Sequence, residues 1–172
     1  GKTLREIADI LKKKQLADAT TFLALTTSQG DSFPSFSFIY SNNLEGYLFP
    51  DTYLVKRGEG MDKIVRIMLS TFQKKVVKPN RDEIEQVIER RFNLDEDDFA
   101  LGLQKLLVVA SLIEREAKIP ADRSKISAVI WNRLAKNMKL QIDATVSYSL
   151  GTSRENKNDL SHADLKSVSP YN

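Results

Sequence analysis

The stretch Leu106 to Ala117, LLVVASLIEREA, constrains this chain more than any other. An almost unbroken apolar run (Leu106, Leu107, Val108, Val109, Ala110, Leu112, Ile113) ends in Glu114-Arg115-Glu116. A run that is apolar on all sides predicts a helix buried in the middle of a domain. Carboxylates at its end are anomalous, because burying one is costly unless it is paired or neutralised. Residues two apart on a helix point about 200° apart, so Glu114 and Glu116 occupy different faces. Glu114 has Lys118 four residues on, the favourable order for a surface ion pair, and reads as solvated. Glu116 continues the row of Val109, Leu112 and Ile113 and leans toward the apolar side. Desolvation there would raise its pKa, as a general acid needs near neutral pH. A glutamate at a frayed helix end before Pro120 fits the same spacing, and spacing leaves both readings open.

Composition narrows the class. The chain has 172 residues, with 41% hydrophobic and 28% charged, enough for one ordinary domain or two small ones of globular type. It has no apolar stretch of membrane-spanning length and no signal peptide. It opens inside a helix start and stops abruptly at Tyr171-Asn172, the pattern of an excised piece of a longer protein. With no cysteine, disulfides, thiol nucleophiles and Cys-based zinc sites are excluded. This suits the cytosol or an envelope protein that avoids disulfides. The single histidine, His162, lies in a polar segment with nothing around it to support a Ser-His-Asp triad. Histidine-rich metal sites are excluded by count. The net charge is +3 and the pI near 9.0. The bases are interspersed with acids instead of being gathered with aromatics, so no nucleic-acid partner is expected.

Local patterns predict mostly helix. Thr3-Leu-Arg-Glu6 is a capping box, followed by the stripe Leu4, Ile7, Ala8 and Leu11 and the basic run Lys12 to Lys14. A short helix is expected over 20–27 and a turn over 29–32. Phe33 to Tyr40 reads as a strand or an extended loop around Pro34. In 44–53, Gly46 and Pro50 argue against helix, and the aromatic residues and acids suit a loop against a cleft wall. A long helix over 61–77 and another from Asn80 lead toward the central one. After Pro120, a helix over 121–136 is expected to turn Ile126, Val129, Ile130 and Leu134 inward. Leu140 and Ile142 alternate with Gln141 and Asp143, which predicts a short strand presenting Gln141 and Asp143 on one side. Ser161-His-Ala-Asp164 looks like a helix start. The expected architecture is α+β: a helix-rich catalytic domain around a buried central helix, with a small β element. Residues 1–28 are expected to form a small lobe and 29–172 the catalytic domain.

Three stretches in order resemble one family: Leu44-Glu-Gly-Tyr-Leu-Phe-Pro-Asp-Thr-Tyr53, Ala110-Ser-Leu-Ile-Glu-Arg-Glu-Ala117 and Leu140-Gln-Ile-Asp-Ala-Thr-Val-Ser-Tyr-Ser-Leu-Gly151. A fourth, Ser169-Pro-Tyr-Asn172, resembles the start of a further motif, and Asn132-Arg133-Leu134 fits the helix between the second and third. Together they are similar to the MltG/YceG-like endolytic murein transglycosylases of bacteria. The resemblance implies an extracytoplasmic enzyme held at the inner membrane by an N-terminal helix absent here, with residues 1–28 as the end of a LysM-like portion. It implies cleavage of the β-1,4 bond between N-acetylmuramic acid and N-acetylglucosamine, leaving a 1,6-anhydromuramic end. Its essential glutamate falls on Glu116. Gln141, Asp143, Glu45, Tyr171 and Asn172 become candidate substrate-binding residues. No metal or organic cofactor is implied; the partners are peptidoglycan strands and, for the whole protein, cell-wall synthesis proteins. Ala144 stands where the family usually has proline, and the chain ends inside the last motif. The alternatives are a non-catalytic peptidoglycan-binding scaffold and a hydrolytic muramidase using Asp143 as second carboxylate.

Overall fold

A computed structural model describes residues 1–56 and 58–149. It divides into two compact units, Gly1–Leu107 and a second beginning at Val108.

The first unit opens with α1 (Leu4–Lys13), whose capping box forms as the sequence predicts. The Glu6 amide donates to the Thr3 hydroxyl (3.2 Å), and the Thr3 amide donates to the Glu6 carboxylate (2.7 Å). α2 (Ala19–Ser28) is capped by Asp18, which accepts from the Thr21 amide at 2.8 Å. Leu4, Ala8 and Leu11 of α1 and Phe22 of α2 are buried in the same core as Phe33, Phe38, Leu44, Tyr47 and Leu69. The first 28 residues are therefore not packed as a lobe of their own. Beyond a 3-10 turn at Gly30–Ser32 the chain runs without regular structure to Gly60 in its described residues, so Phe33 to Tyr40 takes the loop alternative. Aromatic packing organises this connector: Phe38 lies 5.5 Å from Phe72 and 6.1 Å from Tyr47 between ring centroids. Gly30 permits a close backbone approach, since a Cβ there would sit 2.6 Å from the Ser41 carbonyl oxygen; the Gly30 amide donates to the Asn42 carbonyl at 2.9 Å.

α3 (Met61–Phe72) passes directly into a π turn over Gln73–Val77. It buries Ile64, Val65, Met68, Leu69 and Phe72 at helical spacing. α4 (Arg81–Phe92) ends in Asn93, whose left-handed φ of 53° closes the helix. α5 (Phe99–Glu116) follows. The Arg81 guanidinium covers the Phe99 ring, 3.4 Å from its centroid, and the absent side chain of Gly102 makes room for Ile88.

The described part of the second unit holds the end of α5, a 3-10 turn at Pro120–Asp122, α6 (Arg123–Ala135) and α7 (Asp143–Ser149). Its small core is Val109, Leu112 and Ile130, with Ile113, Ile126, Trp131, Leu140, Ile142 and Ala144 packed against it.

Three expectations are corrected here. α5 is amphipathic and not buried all round: Leu103, Val109 and Leu112 are buried, whereas Val108 is 55% exposed. On α6, Ile130 points inward but Val129 and Leu134 are exposed. No strand occurs among the described residues, so the α+β class reduces there to a helical one; the Leu140–Ile142 alternation belongs to a connector, and Asp143 begins α7.

Candidate active site

Glu116 is the last residue of α5. One turn earlier, on the same row, Leu112 is buried in the core that also takes Leu140 and Ile142, the residues on either side of Gln141. The row that leads to Glu116 is thus core-facing as far as Leu112. The expected burial does not follow: the helix ends as the row leaves the core, and Glu116 is exposed. The Glu116 carboxylate makes no hydrogen bond or ion pair among the described residues. Glu114 is exposed as well.

Gln141 and Asp143 sit at the entry to α7, both exposed. They do not alternate along a strand, because Gln141 adopts a left-handed φ of 52° and Asp143 lies in the first helical turn. Arg133, on the last turn of α6, organises this connector. Its Nη1 donates to the Leu140 carbonyl at 2.6 Å, to the Lys139 carbonyl at 3.2 Å and to Gln141 Oε1 at 3.3 Å. Sequence reasoning places Arg133 on its helix but misses this role. An arginine at a helix end before a short polar connector is the available signal, since its fork can take up free carbonyls.

Glu45 belongs to the first unit. Its carboxylate accepts from the Leu4 amide with both oxygens, at 3.2 and 3.3 Å. It thus occupies the positive N-terminal end of α1, where a negative charge is favoured. Sequence reasoning does not anticipate this contact across 41 residues of chain. Tyr171, Asn172, His162 and the expected helix start at Ser161 lie outside the described residues. A groove of about 590 Å³ in the first unit, lined by Asp82, Glu85, Glu89 and Phe99 among others, contains none of the expected site residues. No helix among the described residues is long and apolar enough to cross a membrane.

What this arrangement offers chemically is a carboxylate at a helix end with no partner among the described residues, carried by the same small core that holds a polar connector in a fixed turn. Comparison with known proteins identifies the class. The profile of the YceG-like family matches residues 1–172, and the chain belongs to that family. It is 37% identical over 130 residues to an endolytic murein transglycosylase of Bacillus subtilis, a match covering 75% of this chain and 32% of that protein. It is 32% identical over 132 residues to an endolytic murein transglycosylase of Streptococcus pneumoniae, covering 75% of this chain and 21% of that one. The chain thus spans a third or less of these relatives' lengths. The solved structure of a yceG-like protein from Listeria monocytogenes superposes with a TM-score of 0.80 at 29% identity, covering 99% of this chain and 55% of that one.

Proposed function

We propose that this chain carries the catalytic machinery of an endolytic lytic transglycosylase acting on peptidoglycan, with Glu116 as its single acid and base. The observation that carries this reading is the exposed carboxylate of Glu116 at the end of α5, without a partner among the described residues and one turn beyond the core that takes Leu140 and Ile142 on either side of Gln141. The names of the Bacillus and Streptococcus relatives support the substrate class.

The reaction needs only one carboxylate. Protonated Glu116 donates to the glycosidic oxygen between N-acetylmuramic acid and N-acetylglucosamine. The C1–O bond breaks and the N-acetylglucosamine 4-hydroxyl leaves. The muramoyl acetamido oxygen stabilises the oxocarbenium-like C1. The Glu116 carboxylate then takes the proton of the muramoyl 6-hydroxyl as that oxygen bonds to C1, closing the 1,6-anhydro ring and regenerating the acid. No water is consumed. Acid–base assistance of this kind is worth ~10²–10⁴ in rate. Because Glu116 is exposed, the glycan itself excludes water from the carboxylate when bound. Gln141 and Asp143 hold sugar hydroxyls or acetamido groups, and the family resemblance assigns Tyr171 and Asn172 to glycan binding as well. Glu45, engaged at the start of α1, has a structural role in the first unit.

In this reading the whole protein works in the cell envelope, outside the cytoplasm and anchored in the inner membrane, alongside cell-wall synthesis proteins. Digestion of purified peptidoglycan with products read by mass spectrometry is the test. Anhydromuramoyl ends support the proposal; reducing ends would replace it with a muramidase, and binding without any product would replace it with a scaffold.

A further inference from the structure

We propose that Arg133 is a positioning residue for the reaction, which clamps the α6–α7 connector so that Gln141 presents amide N–H donors, and not its carbonyl, to the substrate. This inference rests on the reading of Gln141 as a substrate-binding residue.

The connector is strained at one point and tied at several. Asn137 and Gln141 both adopt positive φ, 52° in each case. Asparagine enters that region readily; glutamine does so rarely, and holding it there requires surrounding contacts that over-determine the backbone. Arg133 supplies them from both of its ends. Its backbone carbonyl accepts from the Lys136 and Met138 amides at 3.1 and 2.9 Å. Its guanidinium Nη1 contacts the Leu140 and Lys139 carbonyls and Gln141 Oε1. Nη1 has two protons for these three acceptors. The 2.6 Å contact to Leu140 takes one, and the 3.2 and 3.3 Å contacts share the other.

The chemistry of arginine then fixes the orientation of the Gln141 amide. A guanidinium only donates, so the amide atom that faces it is the oxygen. The Nε2 group, with two protons, is the end left to meet a ligand. A donor pair of this kind recognises an acceptor, and an N-acetylated glycan offers one at every sugar in its acetamido carbonyl. Lysine does not replace Arg133, because its Nζ stands one bond nearer the backbone than Nη1 and does not reach the point from which all three acceptors are met.

The test compares wild type, Arg133→Lys, Gln141→Ala and the double variant on peptidoglycan, with thermal melts run alongside. Arg133→Lys is expected to lower kcat/KM on the order of 10–100-fold, the scale of a displaced contact, with its Tm close to wild type. The double variant is expected to lose no more than the worse single one, because Arg133 acts through Gln141. Losses that multiply would overturn the proposal, as would wild-type kcat/KM in Arg133→Lys. Gln141→Glu keeps an oxygen for Arg133 and removes the donors, so it is expected to match Gln141→Ala. A Gln141→Glu variant with wild-type kcat/KM would overturn the donor assignment.

A second arm is independent of catalysis. The intraresidue amide-to-Hα NOE of Gln141, strong at positive φ, is expected in wild type and lost in Arg133→Lys; its persistence would overturn the clamp. The Gln141 side-chain amide protons are expected to shift when a GlcNAc–MurNAc tetrasaccharide is added, and unmoved resonances would overturn their role toward the glycan. If wild type yields no anhydromuramoyl ends, the proposed function fails while these two readouts still decide the role of Arg133.

Discussion

Tyr47 places a fully buried phenol hydroxyl in the middle of an aromatic cluster, with no hydrogen-bond partner in good geometry among the described residues. Burial pushes its pKa up to about 12, with the nearby Tyr40 backbone easing the shift only in part. An unsatisfied buried hydroxyl costs free energy that a ring without it does not. Tyr47→Phe is therefore expected to hold Tm or to raise stability by roughly 1 kcal/mol; a clear loss in urea titration would mean that the hydroxyl has a partner in solution. Glu45 makes the opposite case. Its carboxylate caps α1 through the Leu4 amide, so Glu45→Ala is expected to cost about 0.5–2 kcal/mol. An unchanged Tm with lost activity would instead return Glu45 to the glycan.

At the scale of elements, Gly102 decides how closely α4 and α5 approach, because its missing side chain admits Ile88, which is only 1% exposed. Gly102→Ala is expected to destabilise by about 1–3 kcal/mol through overpacking, measured by chemical denaturation; an unchanged midpoint would show that Ile88 can yield. How well each element is legible in the sequence follows from where its cause lies. Helix starts with a local cause, such as the Thr3–Glu6 box, are read directly. The apolar run of α5 misleads because two stripes adjoin in sequence: Leu106 and Leu107 pack against one core, Val109 and Leu112 enter another. Read as one pattern, they look apolar all round. The Leu140–Ile142 alternation misleads because two repeats of period two are too few to outweigh a tertiary clamp from Arg133. For Glu116 the expected burial fails, since a row cannot tell where its core stops. The Glu45 cap on α1 crosses 41 residues of chain, which no short-range pattern carries; the Arg133 contacts are local, and a helix-end arginine before a polar connector is their only signal in the sequence.

The molecule as a whole responds to acid through carboxylates held by hydrogen bonds. The hydrogen bond from Lys75 Nζ, at 2.6 Å, holds the Asp51 carboxyl below its ordinary value of 3.8. A hydrogen bond from Lys63 likewise holds Glu59 below 4.5, and the Thr21 amide does the same for Asp18. A carboxyl depressed in the native state adds stability above its unfolded pKa and gives it up as pH falls through the native one. The stability of the chain is therefore expected to be level from neutral pH down to about 5 and to fall below about 4. Asp51→Asn is expected to flatten that fall in part, as read by urea midpoints across pH; an identical profile would contradict the role of the Lys75 contact.

The most direct test of the central claim is the product spectrum of peptidoglycan digested by wild type and by Glu116→Gln. The account predicts 1,6-anhydromuramoyl ends from wild type and a rate at least ~10²-fold lower from the variant, with both proteins melting at similar temperatures. Anhydromuramoyl ends released at the wild-type rate by Glu116→Gln would contradict it, and would move the search for the acid away from the end of α5.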